Sequence, residues 1–445
     1  MKKSTLLFLL SLGVLSNAFA QESLDLEKAI SIGLEKNLQI KIAVDNVTIQ
    51  EGNKKIGVGD LFMPTVDATY LRSFAQEDVT QRFVNDPEPR QIDNAKTRNE
   101  NFNIVGLYGF RPESVVTMKR LGQLTEISEL EAKIAVENTV AGISTAYYRL
   151  ILELQRYQVL KETLRLSKAR LNIAQAQYEL GGAGKRDFLT AQVDYNADSS
   201  LLLTQEQVIQ NARVNLNELM AVNPGEDFAI NDTIIIDRRL TFAELEENAF
   251  MENKLLLINQ RLKNVAFLQT RELQASRLPI LNLNGTYVNN TSNSDAGFLV
   301  QNQRQGFNYG GNITVNLFSG FTLNRRIQNA KVQQRIQDYS LEQYEIQLQS
   351  DIQRAFNTYE NNLRLLTIEE KNFQVAKENS EIALERFRLG IASYLEFRDA
   401  QVNLLTAENR LITSIYQIKE QEIELLRLSG KIFFQNSMED FSLNP

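Results

Sequence analysis

The sequence predicts a mainly α-helical protein with a minor β component, organised as two copies of one unit of about 210 residues. Three observations predict it. The chain matches itself at a fixed offset. Two stretches of about 110 residues contain no proline, which marks long uninterrupted helices. Between the helical stretches, apolar and polar residues alternate strictly, the period of a half-buried strand.

The elements can be justified in chain order. Residues 1–20 read as a secretory signal. Lys2 and Lys3 form the basic start, Leu6 to Leu15 the apolar core, and Ala18-Phe19-Ala20 a small-residue cleavage site before Gln21. No Cys follows that site, so a lipid-anchored mature terminus is not expected. Helices are expected at about 26–58, 113–180, 185–220, 242–277, 321–389 and 393–430. The period is direct in one of them. Leu341, Tyr344, Leu348, Ile352, Ala355, Tyr359, Leu363 and Leu366 advance 25 residues in seven steps, about 3.6 per step. At 1.5 Å per residue, 113–180 and 321–389 are rods of about 100 Å. Rods of that length exceed a globular core and suit a tube or an extended coiled coil.

Each unit carries a strand pair between its first helix and its long one, at about 61–75 with 100–112 and at 278–290 with 306–318. Leu281, Leu283, Gly285 and Tyr287 alternate with Asn282, Asn284 and Thr286, and Phe307, Tyr309, Gly311, Ile313, Val315 and Leu317 alternate with Asn and Thr. The first unit shows Val66, Ala68 and Tyr70, then Phe102, Ile104, Tyr108 and Phe110. One face is apolar and the other small and neutral, which fits a membrane barrel with lipid outside and water inside. The linkers at about 75–100 and 289–305 are polar and rich in turn residues, and are expected as exposed loops. Four strands cannot close a spanning barrel, and an open edge in lipid is not tolerated. The chain is therefore expected to oligomerise.

The repeat is explicit at an offset of 209 residues. Ala146-Tyr147 falls on Ala355-Phe356, Tyr178-Glu179-Leu180-Gly181 on Phe387-Arg388-Leu389-Gly390, and Ala191-Gln192-Val193 on Ala400-Gln401-Val402. The chain divides accordingly into a signal at 1–20, a first repeat at 21–225 with a helical hairpin at 113–220, a second repeat at 226–430 with a hairpin at 321–430, and a tail at 431–445.

Composition excludes much chemistry. The 445 residues include no Cys, His or Trp, so there is no Ser-His-Asp triad, no Cys-His pair, no Cys/His zinc site and no disulfide. The net charge is −7, which disfavours nucleic acid as a partner. Gly181-Gly182-Ala183-Gly184-Lys185 is not a phosphate loop, because Glu179 stands at its first glycine position, Arg186 follows the lysine and a helix precedes. No cofactor, metal site or catalytic residue is expected.

With signal, duplicated unit, strand pairs and the two hairpin motifs Tyr178–Gly181…Asp187–Gln192 and Phe387–Gly390…Glu396–Gln401, the chain resembles the TolC-type outer-membrane efflux channels over essentially residues 22–430. The resemblance implies a homotrimer whose twelve-stranded barrel in the outer-membrane lipid continues into a long periplasmic α-barrel. It implies a periplasmic adaptor and an inner-membrane pump of RND, ABC or MFS type as partners, and a passive gated duct in a Gram-negative outer membrane. Two competing classes are the periplasmic adaptor, which carries a single long hairpin flanked by small β domains rather than a duplicated unit with four amphipathic strands, and the secreted enzyme, for which no carboxylate cluster falls on a loop rather than a helix face. The adaptor stands as the alternative reading.

The resemblance also assigns the tips. Gly181, Gly182 and Gly184 in the first turn, with Gly390 and Ser393 in the second, form the periplasmic ends where such channels close. Glu396 and Asp399 match two family aspartates that ring the closed aperture. A competing reading holds for Glu396, since Ser393-x-x-Glu396 is a capping box, and for Asp187, since acids suit a first helical turn. Asp399 lies past the capping position. In some members a Tyr and an Arg near the second tip bond to polar groups of the first; the matching positions here are Phe387 and Ala392, while Asp187 is kept and Arg186 replaces a Thr. Arg186 pairing with an acidic neighbour is one expected substitute.

Overall fold

A computed structural model describes residues 23–432 apart from 85 and 183, and of 86 and 87 the backbone alone. The signal at 1–20 and nearly all of the tail at 431–445 lie outside the described residues. In chain order the elements are α1 (Leu26–Lys36), α2 (Leu38–Phe62), β1 (Thr65–Phe83), β2 (Asp86–Phe110), α3 (Pro112–Glu179), α4 (Lys185–Leu219), α5 (Phe242–Glu252), α6 (Lys254–Ala275), β3 (Ile280–Ser294), β4 (Gln301–Thr314), α7 (Thr322–Arg388) and α8 (Tyr394–Leu428). The order α-α-β-β-α-α occurs twice.

Two expected helices are each broken once. Asn37 ends α1 and Asn253 precedes α6, with ψ of 124° and 114°. Each asparagine caps the helix after it: Asn37 Oδ1 accepts from the amide of Gln39 at 2.8 Å, and Asn253 Oδ1 from that of Leu256 at 2.9 Å. A short polar side chain that bonds its own downstream backbone competes with the helix, and here it wins.

The chain forms two compact units that draw on both halves of the sequence. One gathers the chain up to Ile40, Val136–Met251 and the chain from Ser350. Its core is Ala29, Ile30, Ile143, Tyr147, Leu150, Ile151, Leu216 and Met220, all nearly or fully buried. Gly33 lets α1 approach α3 so closely that a Cβ would overlap the Ile143 side chain. The segment between α4 and α5 is tied down rather than loose. Asn217 Nδ2 donates to the carbonyls of Pro224 and Glu226 at 3.1 and 2.9 Å. Tyr147 donates to Asp232, with Leu24 O 3.1 Å from the same hydroxyl, and Tyr359 donates to Asp237 O. Burial and the Asp232 carboxylate push the Tyr147 phenol far up, so it stays a donor at any physiological pH.

The other unit gathers Lys41–Ala135 and Glu252–Gln349. It holds one antiparallel sheet in the order β1-β2-β3-β4, with its helical segments crosslinked by polar contacts such as Arg120 Nε to Glu272 Oε2 at 2.8 Å. The strands depart from expectation. Residues expected as loops at about 75–100 are strand except for the turn near Val84, and the second loop shrinks to 295–300. The added strand residues are mostly polar, with Val79 opposite Ile92 as an isolated apolar pair, which hides the period of two from a hydrophobicity reading. β4 ends at Thr314, so Val315 and Leu317 lie beyond it.

Candidate functional site: an apolar sheet face and two hairpin tips

Register decides what the sheet can do. Val66, Ala68 and Tyr70 pair with Gly106, Ile104 and Phe102. Ile104, Gly106, Tyr108 and Phe110 pair with Tyr287, Gly285, Leu283 and Leu281, which pair in turn with Phe307, Tyr309, Gly311 and Ile313. Side chains alternate across a strand, so all of these share one face. The opposite face carries Asp67, Thr69, Asn103, Asn282, Asn284, Thr286, Asn308 and Asn312.

The apolar face has edges. On β2 it runs from Phe102 to Phe110, about 27 Å at strand rise, against an apolar band of about 25 Å in barrels that span a membrane. The next row on the same face is charged: Arg72 Nε meets Glu100 Oε1 at 3.1 Å, and Arg98 bonds the same carboxylate. Tyr70, Phe102, Tyr287 and Phe307 lie between, with the last two ring centroids 5.0 Å apart. Aromatics at the border of an apolar band are the interfacial girdle of such barrels. β1 and β4 are each hydrogen-bonded on one side within the sheet. No described helix is long and apolar enough to cross a membrane.

Both hairpin turns are built alike. Gly181 (φ 76°) and Gly390 (φ 74°) adopt the left-handed conformation that glycine tolerates best. In the first, the amides of Gly181 and Gly182 donate to Tyr178 O and Gln177 O at 3.1 and 2.7 Å. In the second, Gly390 and Ile391 donate to Phe387 O and Arg386 O at 3.1 and 2.9 Å. These paired bonds are the Schellman ending of a helix. An aromatic stack closes each turn: Tyr178 on Phe188 at 6.0 Å, Phe387 on Phe397 at 5.5 Å.

The structure brings Ser393 and Glu396 together as a full capping box, with Ser393 Oγ accepting from the Glu396 amide at 3.2 Å and Glu396 Oε2 from the Ser393 amide at 3.1 Å. Glu396 and Asp399 are both exposed. Phe387 is buried to 4% exposure, stacked on Phe397. Gly184 begins α4 without a side-chain cap, and Gly182 is exposed. Arg186 is exposed and Asp187 half-buried, and among the described residues Arg186 has no carboxylate partner. No cluster among them is arranged to hold a metal.

Reading for known motifs misses a buried polar cluster behind the tips. Arg170, Asp194, Asp198, Tyr394, Arg398 and Gln401 join α3, α4 and α8. Its signal was available: Tyr394, Arg398 and Gln401 lie on the same helical stripe as the buried Phe397, and Asp194 and Asp198 follow Ala191. Burial lowers the proton affinity of Arg170, and burial with Asp194 pushes the Tyr394 phenol up.

Sequence comparison and fold agree with this geometry. Residues 252–431 match the family model described as outer membrane efflux protein. The chain is 21% identical over 427 residues to the probable efflux pump outer membrane protein TtgC of Pseudomonas putida KT2440, covering 93% of this chain and 84% of that one. In fold it resembles the CmeC outer membrane channel of Campylobacter jejuni, with a TM-score of 0.76 at 16% identity over 92% of this chain and 86% of that one. It resembles the outer membrane protein VceC of Vibrio cholerae with a TM-score of 0.73 at 16% identity, over 91% and 96% of the two chains. The second part of the chain is thus similar to outer membrane efflux proteins, and the fold of the chain is that of these outer-membrane channels.

Proposed function

We propose that this chain is the outer-membrane exit duct of a tripartite efflux or type I secretion system, a passive gated channel that carries substrates from an inner-membrane pump to the exterior. One observation supports it above the others. A four-stranded sheet presents a contiguous apolar face of membrane height, while β1 and β4 keep one side each unpaired. Such a sheet is stable in lipid only when copies close it. Three copies give twelve strands, and the duplicated units then double the symmetry of the ring. The adaptor and the pump act on the two glycine turns, where Glu396 and Asp399 form an acidic ring that favours cations.

The sheet tests the reading. Ile313→Arg places charge on the apolar face and is expected to cost about 2–4 kcal/mol near mid-membrane and to abolish the membrane-embedded oligomer. Asn312→Arg, on the opposite face, leaves assembly intact. Heat-sensitive oligomers on gels read both, and equal defects would refute the facing. In planar bilayers the assembled protein is mostly closed, and Glu396→Gln with Asp399→Ala lowers its cation selectivity.

A further inference from the structure

Arg170 on α3 has no exposed side-chain surface. Its Nη2 donates to Asp194 Oδ2 of α4 at 3.1 Å, its Nη1 to Gln401 Oε1 of α8 at 3.0 Å, and its guanidinium lies 4.9 Å from the centre of the Tyr394 ring. Tyr394 donates its hydroxyl to the same Asp194 oxygen. One turn on, Arg398 grips Asp198 with both terminal nitrogens, at 3.1 and 3.3 Å, and Ser167 donates to Asp198. Gln401 Nε2 donates to Thr163 O and Ser167 Oγ, each at 3.0 Å.

We propose that this cluster is a clasp: Arg170, Asp194, Asp198 and Arg398 are positioning residues that fix the first two turns of α8 to the first hairpin and thereby set the closed position of the second tip. The inference rests on the reading of the chain as a duct. Four arguments carry it. The two arginines and two aspartates balance in charge, so the cluster needs no outside counter-ion. Every partner belongs to one chain, so the clasp exists before assembly. Buried ion pairs add little net stability over apolar packing, but a fan of directed hydrogen bonds fixes the register of the helices it joins. Lastly, the clasp is not a product of the repeat, since the positions 209 residues from Asp194, Asp198 and Arg398 are Asn403, Ala407 and Leu189. The fastening leaves Leu395, Glu396 and Asp399 on the exposed side of the same two turns of α8. Phe387 and Ala392 at the turn itself offer no comparable polar link.

Removing one partner would strand a buried charge, so the test uses the neutral pair Asp198→Asn with Arg398→Gln and, separately, Arg398→Lys, which keeps the charge but not the two-pronged grip. Amide hydrogen exchange on the purified oligomer is read at 394–401, and conductance is read in planar bilayers. The expected result is about tenfold faster exchange confined to the start of α8, with a several-fold rise in conductance, an intermediate effect for Arg398→Lys and an unchanged oligomer on gels. Unchanged exchange overturns the clasp, and so does faster exchange in a channel whose conductance stays at the wild-type level. Absence of any channel in wild type and variants alike overturns the duct reading, and with it a gating role for the clasp.

Discussion

The two hairpin turns share a backbone and differ in their surroundings. Both end a long helix in a left-handed glycine, with the same pair of amide bonds and an aromatic stack. In the first, Tyr178 is 39% exposed and α4 starts on an uncapped Gly184 followed by Lys185 and Arg186, whose charges oppose the helix dipole. In the second, Phe387 and Phe397 are 4% and 0% exposed and α8 starts on a complete capping box. The two turns share their local backbone chemistry. They do not share packing or capping, and of the two only the second is anchored by a buried core.

The largest test of that contrast removes the stacks. Phe397→Ala empties a fully buried site and is expected to cost about 3–5 kcal/mol. Phe188→Ala, half-buried against an exposed Tyr178, should cost roughly 1–2 kcal/mol. Local opening free energies from hydrogen exchange at each turn measure both. Equal losses would mean that the second turn has no special anchorage. The glycines test the shared part. Gly181→Ala and Gly390→Ala force a side chain into the left-handed region at about 1–2 kcal/mol each. Neither position has a neighbouring atom within 4 Å of the added Cβ, so the two costs should match. A free substitution at either one would break the equivalence of the turns.

Much of this was legible because the signals were local. Gly181, Gly390 and the Ser393–Glu396 box occupy fixed offsets, and Leu281–Tyr287 and Phe307–Ile313 alternate cleanly because one face of each strand is apolar. The hidden parts depend on contacts that the period does not encode. β1 beyond Ala75 and β2 before Asn101 are mostly polar and show no apolar alternation, so pairing, not hydrophobicity, makes them strands. The breaks at Asn37 and Asn253 turn on one side-chain bond each. The clasp sits on the inward stripes of α4 and α8, where a charged residue reads as surface until its partners 200 residues away are in place.

The smallest effect concerns the helix starts. Ser393→Ala removes the oxygen that accepts from the Glu396 amide and should cost about 1 kcal/mol. Gly184→Ser adds such an oxygen to α4. Gly184 has φ −76°, which any residue adopts, and its added Cβ would meet only Asp187 Oδ2 at 3.8 Å, so serine fits. The gain should be a few tenths of a kcal/mol, because glycine is itself a tolerable cap. Exchange at the first turns of α4 and α8 should therefore converge in the double variant without becoming equal, because Lys185 and Arg186 still oppose the dipole. Arg186→Glu should close part of the remaining gap by about 0.3–1 kcal/mol at low salt, and less at high salt. A residual difference that ignores both changes would place the contrast between the tips wholly in the Phe387–Phe397 core.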